Sequence, residues 1–99
     1  MDDITRLSSK ETVILKLLIG ECRELYGLEM VEQSNSGLKR GTIYVTLGRM
    51  EDKGLIKSRK EAPRPGSRGL PRRLYSPTGL GERTFAVWEF AAQKFGEVG

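Results

Sequence analysis

Apolar positions along the chain change from helical spacing to alternation and back, and the changes mark out the elements. Val13, Ile14, Leu17 and Leu18 recur at spacings of three and four and form one stripe, the pattern of an amphipathic helix. Ser8-Ser9-Lys10-Glu11 announces that helix: Ser8 caps the first turn, and Glu11 reaches back three residues to the Ser8 backbone. It ends near Gly20 to Cys22. A second, shorter helix is predicted from about Leu25 to Gln33, with Leu25, Leu28, Met30 and Val31 on its buried side. Ser34-Asn35-Ser36-Gly37 then breaks it with turn-forming residues.

The third helix opens after Lys39-Arg40-Gly41, with Thr42 as cap or first-turn residue, and continues to Lys53 before Gly54 stops it. Ile43, Leu47 and Met50 share one face. Thr42, Thr46, Arg49 and Lys53 are assigned to the opposite one, which is polar to basic. Beyond Gly54, Leu55 to Lys60 is short and partly alternating, and Arg72 to Ser76 is its returning strand. The tip between them, Ala62 to Pro71, interleaves turn-forming residues with arginines and suits a basic loop. A closing helix runs from about Thr78 to Phe95, carrying Leu80, Thr84, Trp88, Ala91 and Phe95, with Phe85, Val87 and Ala92 widening the stripe. Gly79 and Gly81 weaken its start, so the regular helix is expected only from near Glu82.

Ninety-nine residues, 37% of them apolar, correspond to one ordinary domain. No run approaches the roughly 18 apolar residues of a membrane span, and Met1-Asp2-Asp3 does not open a secretory leader, so a cytoplasmic protein is expected. The single cysteine, Cys22, reads as a packed thiol. With one cysteine and no histidine, neither a disulfide framework nor a Cys/His zinc site can be built within one chain. The Ser-His-Asp and Cys-His nucleophile arrangements are absent for the same reason. No metal, no cofactor and no enzymatic activity are expected.

The net charge of +4 is unevenly spread. Lys39 to Arg73 holds eleven lysines and arginines against Glu51, Asp52 and Glu61, a local balance of +8, while six basic and ten acidic residues elsewhere leave −4. A compact basic block on an otherwise acidic chain suits a polyanionic partner.

A short helix, a Gly-containing turn, a helix with one apolar and one basic face, and a basic hairpin together meet the requirements of groove recognition with a wing. The fold class is therefore mainly α with a small β-hairpin: a winged helix-turn-helix over residues 1–77 with an additional C-terminal dimerisation helix over 78–99. In this reading the third helix enters the major groove, Arg49 donates to guanine, and the Thr42 and Thr46 methyl groups meet thymine. Lys39 and Arg40 flank it. Arg59, Lys60, Arg64, Arg68, Arg72 and Arg73 supply salt-sensitive phosphate contacts. Tyr44 either touches DNA or packs against the first helix. Lys53 and Lys57 read as ordinary solvated residues, Tyr26 as core or helix-end packing, and Glu51 and Asp52 should point away from a duplex. The same features also fit an interaction module that binds protein through its basic face or aromatic helix.

Tyr26-Gly27-Leu28-Glu29-Met30, followed by Leu38-Lys39-Arg40-Gly41-Thr42-Ile43-Tyr44-Val45-Thr46-Leu47-Gly48-Arg49-Met50-Glu51-Asp52-Lys53-Gly54-Leu55-Ile56, resembles the PadR-like regulators. Those proteins show a Tyr-Gly-Tyr-Glu-like start and a Gly-Thr-Leu-Tyr-Pro-x-Leu-x-x-Leu-Glu-x-x-Gly-Leu-Ile-like segment. Arg72-Arg73-Leu74-Tyr75-Ser76-Pro77-Thr78-Gly79-Leu80-Gly81 is similar to their strand-to-helix junction. Val45 stands where the family usually has Pro, and many relatives have a longer C-terminal region. The resemblance implies a repressor that binds double-stranded DNA as a homodimer on a palindromic operator, with its C-terminal helices paired and the N-terminal helix contributing. Independently, Phe85, Trp88 and Phe95, with Ala92, make an apolar stripe of the kind interfaces bury, which Ile4 and Leu7 can join. In some relatives an aromatic at that interface stacks on a small planar effector; Trp88 either does so or simply packs.

Overall fold

The computed structural model describes residues 7–21, 24–61 and 72–98, with backbone alone at 21 and 93–98. Its elements are α1 (Ser9–Glu21), β1 (Leu25–Tyr26), α2 (Gly27–Gln33), α3 (Ile43–Asp52), β2 (Ile56–Lys60), β3 (Arg73–Pro77) and α4 (Gly79–Val98). The strands form one antiparallel sheet in the order β1-β3-β2.

The Ser8 capping box forms as expected: Glu11 Oε1 accepts the Ser8 N–H at 2.9 Å, and Ser8 Oγ accepts the Glu11 N–H at 3.2 Å. α1 is the central helix of the core. Ile14, Leu15 and Leu18 are fully buried on it, while Val13 and Leu17 of the expected stripe pack only partly. Leu25, Met30, Leu38, Ile43, Leu47, Met50, Leu55, Ile56 and Tyr75 complete that core around them. Fully burying such aliphatic side chains stabilises the fold by about 1.5–3 kcal/mol each.

Two expectations about α2 are corrected. Leu25 and Tyr26 are a short third strand, pairing with Tyr75 and Leu74, so the helix begins at Gly27. Two extended residues carry no periodic signal, and their partners lie far along the chain. Leu28 is 44% exposed rather than buried, because α2 turns Met30 and Gly27 inward and places Leu28 on the other side. In the turn that follows, Ser34 Oγ donates to the Val31 carbonyl and accepts the Leu38 N–H, while Asn35 and Ser36 take positive φ values of 51° and 75°. Gly54, at φ 79°, stops α3 as expected.

The closing helix is regular from Gly79, three residues earlier than expected. Thr78 compensates for the glycines: its hydroxyl accepts the Gly81 N–H at 3.0 Å and donates to the Gly54 carbonyl at 2.6 Å. The two ends of β2 and β3 are thereby tied to the start of α4, which packs on α1 and β3. No helix among the described residues is long and apolar enough to cross a membrane.

Candidate nucleic-acid interface

The geometry of α3 follows from its apolar face. Ile43, Leu47 and Met50 are buried, which turns Val45, Arg49 and Asp52 straight outward; Tyr44 and Val45 are 53% and 58% exposed. Thr42 is the N-cap by position, but its side chain makes no capping bond. Its carbonyl instead accepts both the N–H and the hydroxyl of Thr46, at 3.1 and 3.2 Å, leaving Thr46 half-buried on the flank. Just before the helix, the Lys39 carbonyl accepts the Thr42 and Ile43 N–H groups, and Lys39 and Arg40 stand exposed beside the helix start. Lys39, Arg40 and Arg49 make no ion pair with any described residue. These three cations are thus available at the outward end and face of α3.

Lys53 is different from the other three residues assigned to the basic face. Its Nζ pairs with Glu11 Oε2 at 2.8 Å, linking the end of α3 to the start of α1. Burial alone would push the Glu11 carboxyl up, but Lys53 and the Ser8 N–H and hydroxyl outweigh that and hold it below the usual carboxylate range. Lys53 is a strut rather than a groove contact or a merely solvated side chain.

The strand register sorts the wing cations into two sets. Ser58 lies opposite Tyr75 and Lys60 opposite Arg73, so by alternation these side chains share the face that carries the buried Ile56 and Leu25. Glu51 of α3 meets that face: its Oε2 accepts the Ser58 hydroxyl at 2.7 Å, and Ser58 Oγ accepts Arg73 Nη1 at 3.0 Å. Glu51 thus turns to the wing, whereas Asp52, expected to point away from a duplex, stands on the outward face of α3 beside Val45 and Arg49. Lys60 makes no ion pair with a described residue.

Arg59, opposite Leu74, points to the other face. There it donates Nε and Nη2 to the two oxygens of Glu24, both at 2.7 Å, and this fork holds the Glu24 carboxyl below its ordinary value. Arg72 lies over the Tyr26 ring, 4.2 Å from its centroid, and 3.7 Å from Glu61, while the Tyr26 hydroxyl donates to Glu61 at 2.6 Å. Arg59 and Arg72, both expected on phosphates, are each paired with a carboxylate in the folded chain, Arg59 with Glu24 and Arg72 with Glu61, while their side chains stay largely exposed. Arg64 and Arg68 lie outside the described residues.

Tyr44 packs against α2 rather than α1. Its ring edge lies so close to Gly27 that a Cβ there would come within 2.8 Å of it, while the rest of the ring is exposed. Glu24, Glu61 and Tyr75, none of them singled out from the sequence, prove central to the wing; only a pairing map brings them beside Arg59, Tyr26 and Tyr44.

Among residues expected at an interface between copies, Leu7 is buried in the chain's own core, which corrects its assignment to that surface. Phe85 and Trp88 are half-buried and pack against the same core, and Ala92 is exposed. The large exposed apolar side chains toward the middle of α4 are Val87 and Phe90, at 54% and 62%. Ile4 lies outside the described residues, and of Phe95 only the backbone is described.

The model of the transcriptional regulator PadR-like family matches residues 14–87. A PadR family transcription regulator from hypervirulent Clostridium difficile R20291 is 30% identical and superposes with a TM-score of 0.76, covering 92% of this chain and 94% of that one. A PadR-like transcription factor from Bacteroides fragilis, 23% identical, gives 0.75 over 88% and 82% of the two chains. A PadR-like transcriptional regulator from Bacillus cereus strain ATCC 14579, also 23% identical, gives 0.70 over 88% and 84%. No curated protein matches the chain. The two-faced α3, the wing sheet and this match over most of the length agree: the chain belongs to the PadR-like family of transcriptional regulators, DNA-binding proteins rather than enzymes.

Proposed function

We propose that the chain is a dimeric repressor that inserts α3 into the major groove of a palindromic operator. The observation that carries this reading is the outward surface of α3, where Val45 and Arg49 are exposed and flanked by the unpaired cations Lys39 and Arg40. Arg49 reads guanine, the Thr42 and Thr46 methyl groups and Val45 meet thymine methyls, and Tyr44 reaches the sugar-phosphate edge. Lys60 and Arg73, on the sheet face nearest α3, contact the flanking backbone together with Arg64 and Arg68 of the tip. Arg59 and Arg72 act through the shape of the wing.

Two copies pair through α4, burying Val87, Phe90 and Ala92 with the outer edges of Phe85 and Trp88. Pairing sets the two recognition helices about 34 Å apart, one turn of the duplex, and bound over a promoter the dimer excludes polymerase. The test is a titration of the chain with duplex from its own upstream region across a salt series. About six neutralised phosphates per dimer give a log–log slope of about −5. A chain indifferent to duplex at low salt would favour the protein-interaction module instead.

A further inference from the structure

A cavity of about 620 Å³ opens between α2, α3 and β3, within the roughly 300–1,000 Å³ typical of small-ligand pockets. The exposed Leu28 and Tyr44 form its apolar mouth. Tyr75 lies inside, only 4% exposed, and its hydroxyl has no hydrogen-bond partner among the described residues. No unpartnered side-chain oxygen among them is sealed from solvent, so this hydroxyl meets the cavity. A tyrosine buried to this degree ordinarily bonds its O–H to something. Burial, reinforced by Glu51 and Tyr44, pushes the Tyr75 hydroxyl above its ordinary 10, which keeps it a donor at neutral pH.

The charges around the cavity define what fits. Arg72 and Arg73 stand on one wall, but Arg72 is engaged by Glu61 and the Tyr26 ring, and Arg73 by Ser58. Glu29 and Glu32 line the α2 wall. A carboxylate or phosphate would meet carboxylates as often as guanidinium groups and gain little. A neutral occupant with one acceptor for the hydroxyl meets no such opposition.

We propose that this cavity binds an uncharged, largely apolar molecule bearing a carbonyl oxygen, which lies along Tyr44 and Leu28 and accepts the Tyr75 hydroxyl. Because Tyr44 belongs to α3 and Arg73 to the wing, the occupant sits at the joint between the two duplex-facing parts, and ligand and duplex oppose each other. That opposition rests on the proposed duplex reading; the ligand site does not.

Coumarin is the probe, titrated into the full chain with coumarin-3-carboxylate as its charged counterpart. Saturable coumarin binding is expected, at least tenfold tighter than the carboxylate. Tyr75→Phe, with its melting temperature checked, should weaken coumarin about five- to tenfold. Leu28→Glu, at an exposed position, should weaken it as well, and Trp88→Phe should leave it unchanged. Absent saturation, equal binding by Y75F and L28E, preference for the carboxylate, or loss in W88F would each overturn the site. Added coumarin should then release duplex from the native chain and not from Y75F; duplex unaffected by bound coumarin would overturn the opposition. If no duplex binds at all, the repressor reading fails while the ligand titration still decides the site.

Discussion

Gly81, on the third residue of α4, lies directly against the backbone carbonyl of Leu55, and a Cβ at this position would overlap that oxygen. The contact lets α4 settle onto the start of β2, next to the Thr78 hydroxyl that bridges Gly81 and Gly54. Gly81→Ala should therefore destabilise the fold by about 1–3 kcal/mol, because backbone rather than a pliable side chain must give way. Gly20→Ala is the opposite case: it meets nothing within 4 Å on an exposed helical site and should stabilise by about 0.5–1 kcal/mol. Urea denaturation of the two variants beside the native chain checks both signs.

The Glu11–Lys53 pair makes stability depend on pH. The folded carboxyl titrates below its unfolded value of about 4.5, so its contribution is complete above that pH and is lost as pH falls through the folded value. Glu11→Gln should cost about 1–3 kcal/mol at pH 7. The gap between native chain and variant should narrow as pH falls below about 4.5 and close once pH has passed through the lower folded value. A gap that persists unchanged into acid would mean that packing, not the ion pair, sets the cost.

Arg49 and Arg59 should separate in duplex binding although both are wing or helix arginines of similar sequence setting. Arg49→Gln removes the proposed guanine donor and should cost about 1–3 kcal/mol per site while relaxing base preference. Arg59→Gln frees Glu24 from its fork and should leave the slope nearly unchanged. Parallel salt titrations with cognate and scrambled duplexes read both effects; a loss of slope in the Arg59 variant would place that residue on the backbone after all.

If two copies pair through α4 as proposed, Phe90→Asp should yield monomer without unfolding the chain, since Phe90 is 62% exposed on α4. Removing about 1.5–3 kcal/mol of apolar burial from each of two subunits weakens association by roughly a hundred- to ten-thousandfold. Sedimentation equilibrium measures the dissociation constant, and thermal melting at low concentration confirms that the monomer stays folded.

Much of the architecture was legible locally. The box at Ser8 and Glu11, the stop at Gly54, the three-and-four spacing of Ile43, Leu47 and Met50, and the basic hairpin each depend on residues a few positions apart, whose geometry the covalent chain itself imposes. The order of helices and wing, the outward position of Arg49 and the family resemblance followed from these signals. The departures that shape the candidate site are long-range. Leu25 and Tyr26 became a strand only because β3 offered its edge. The register of that sheet sent Arg59 and Arg72 to Glu24, Glu61 and Tyr26, and kept Arg73 beside Ser58 and Glu51. Lys53 left the groove face for Glu11, 42 residues away, and Tyr75 was carried beneath Tyr44 with its hydroxyl unspent. Sequence alone determined which segments are helical, which face of each is apolar and where positive charge gathers, because period and capping are local properties. Which cations remain available to a partner was decided only by tertiary structure, because a charge is spent or left free according to what the folded chain brings within hydrogen-bonding reach.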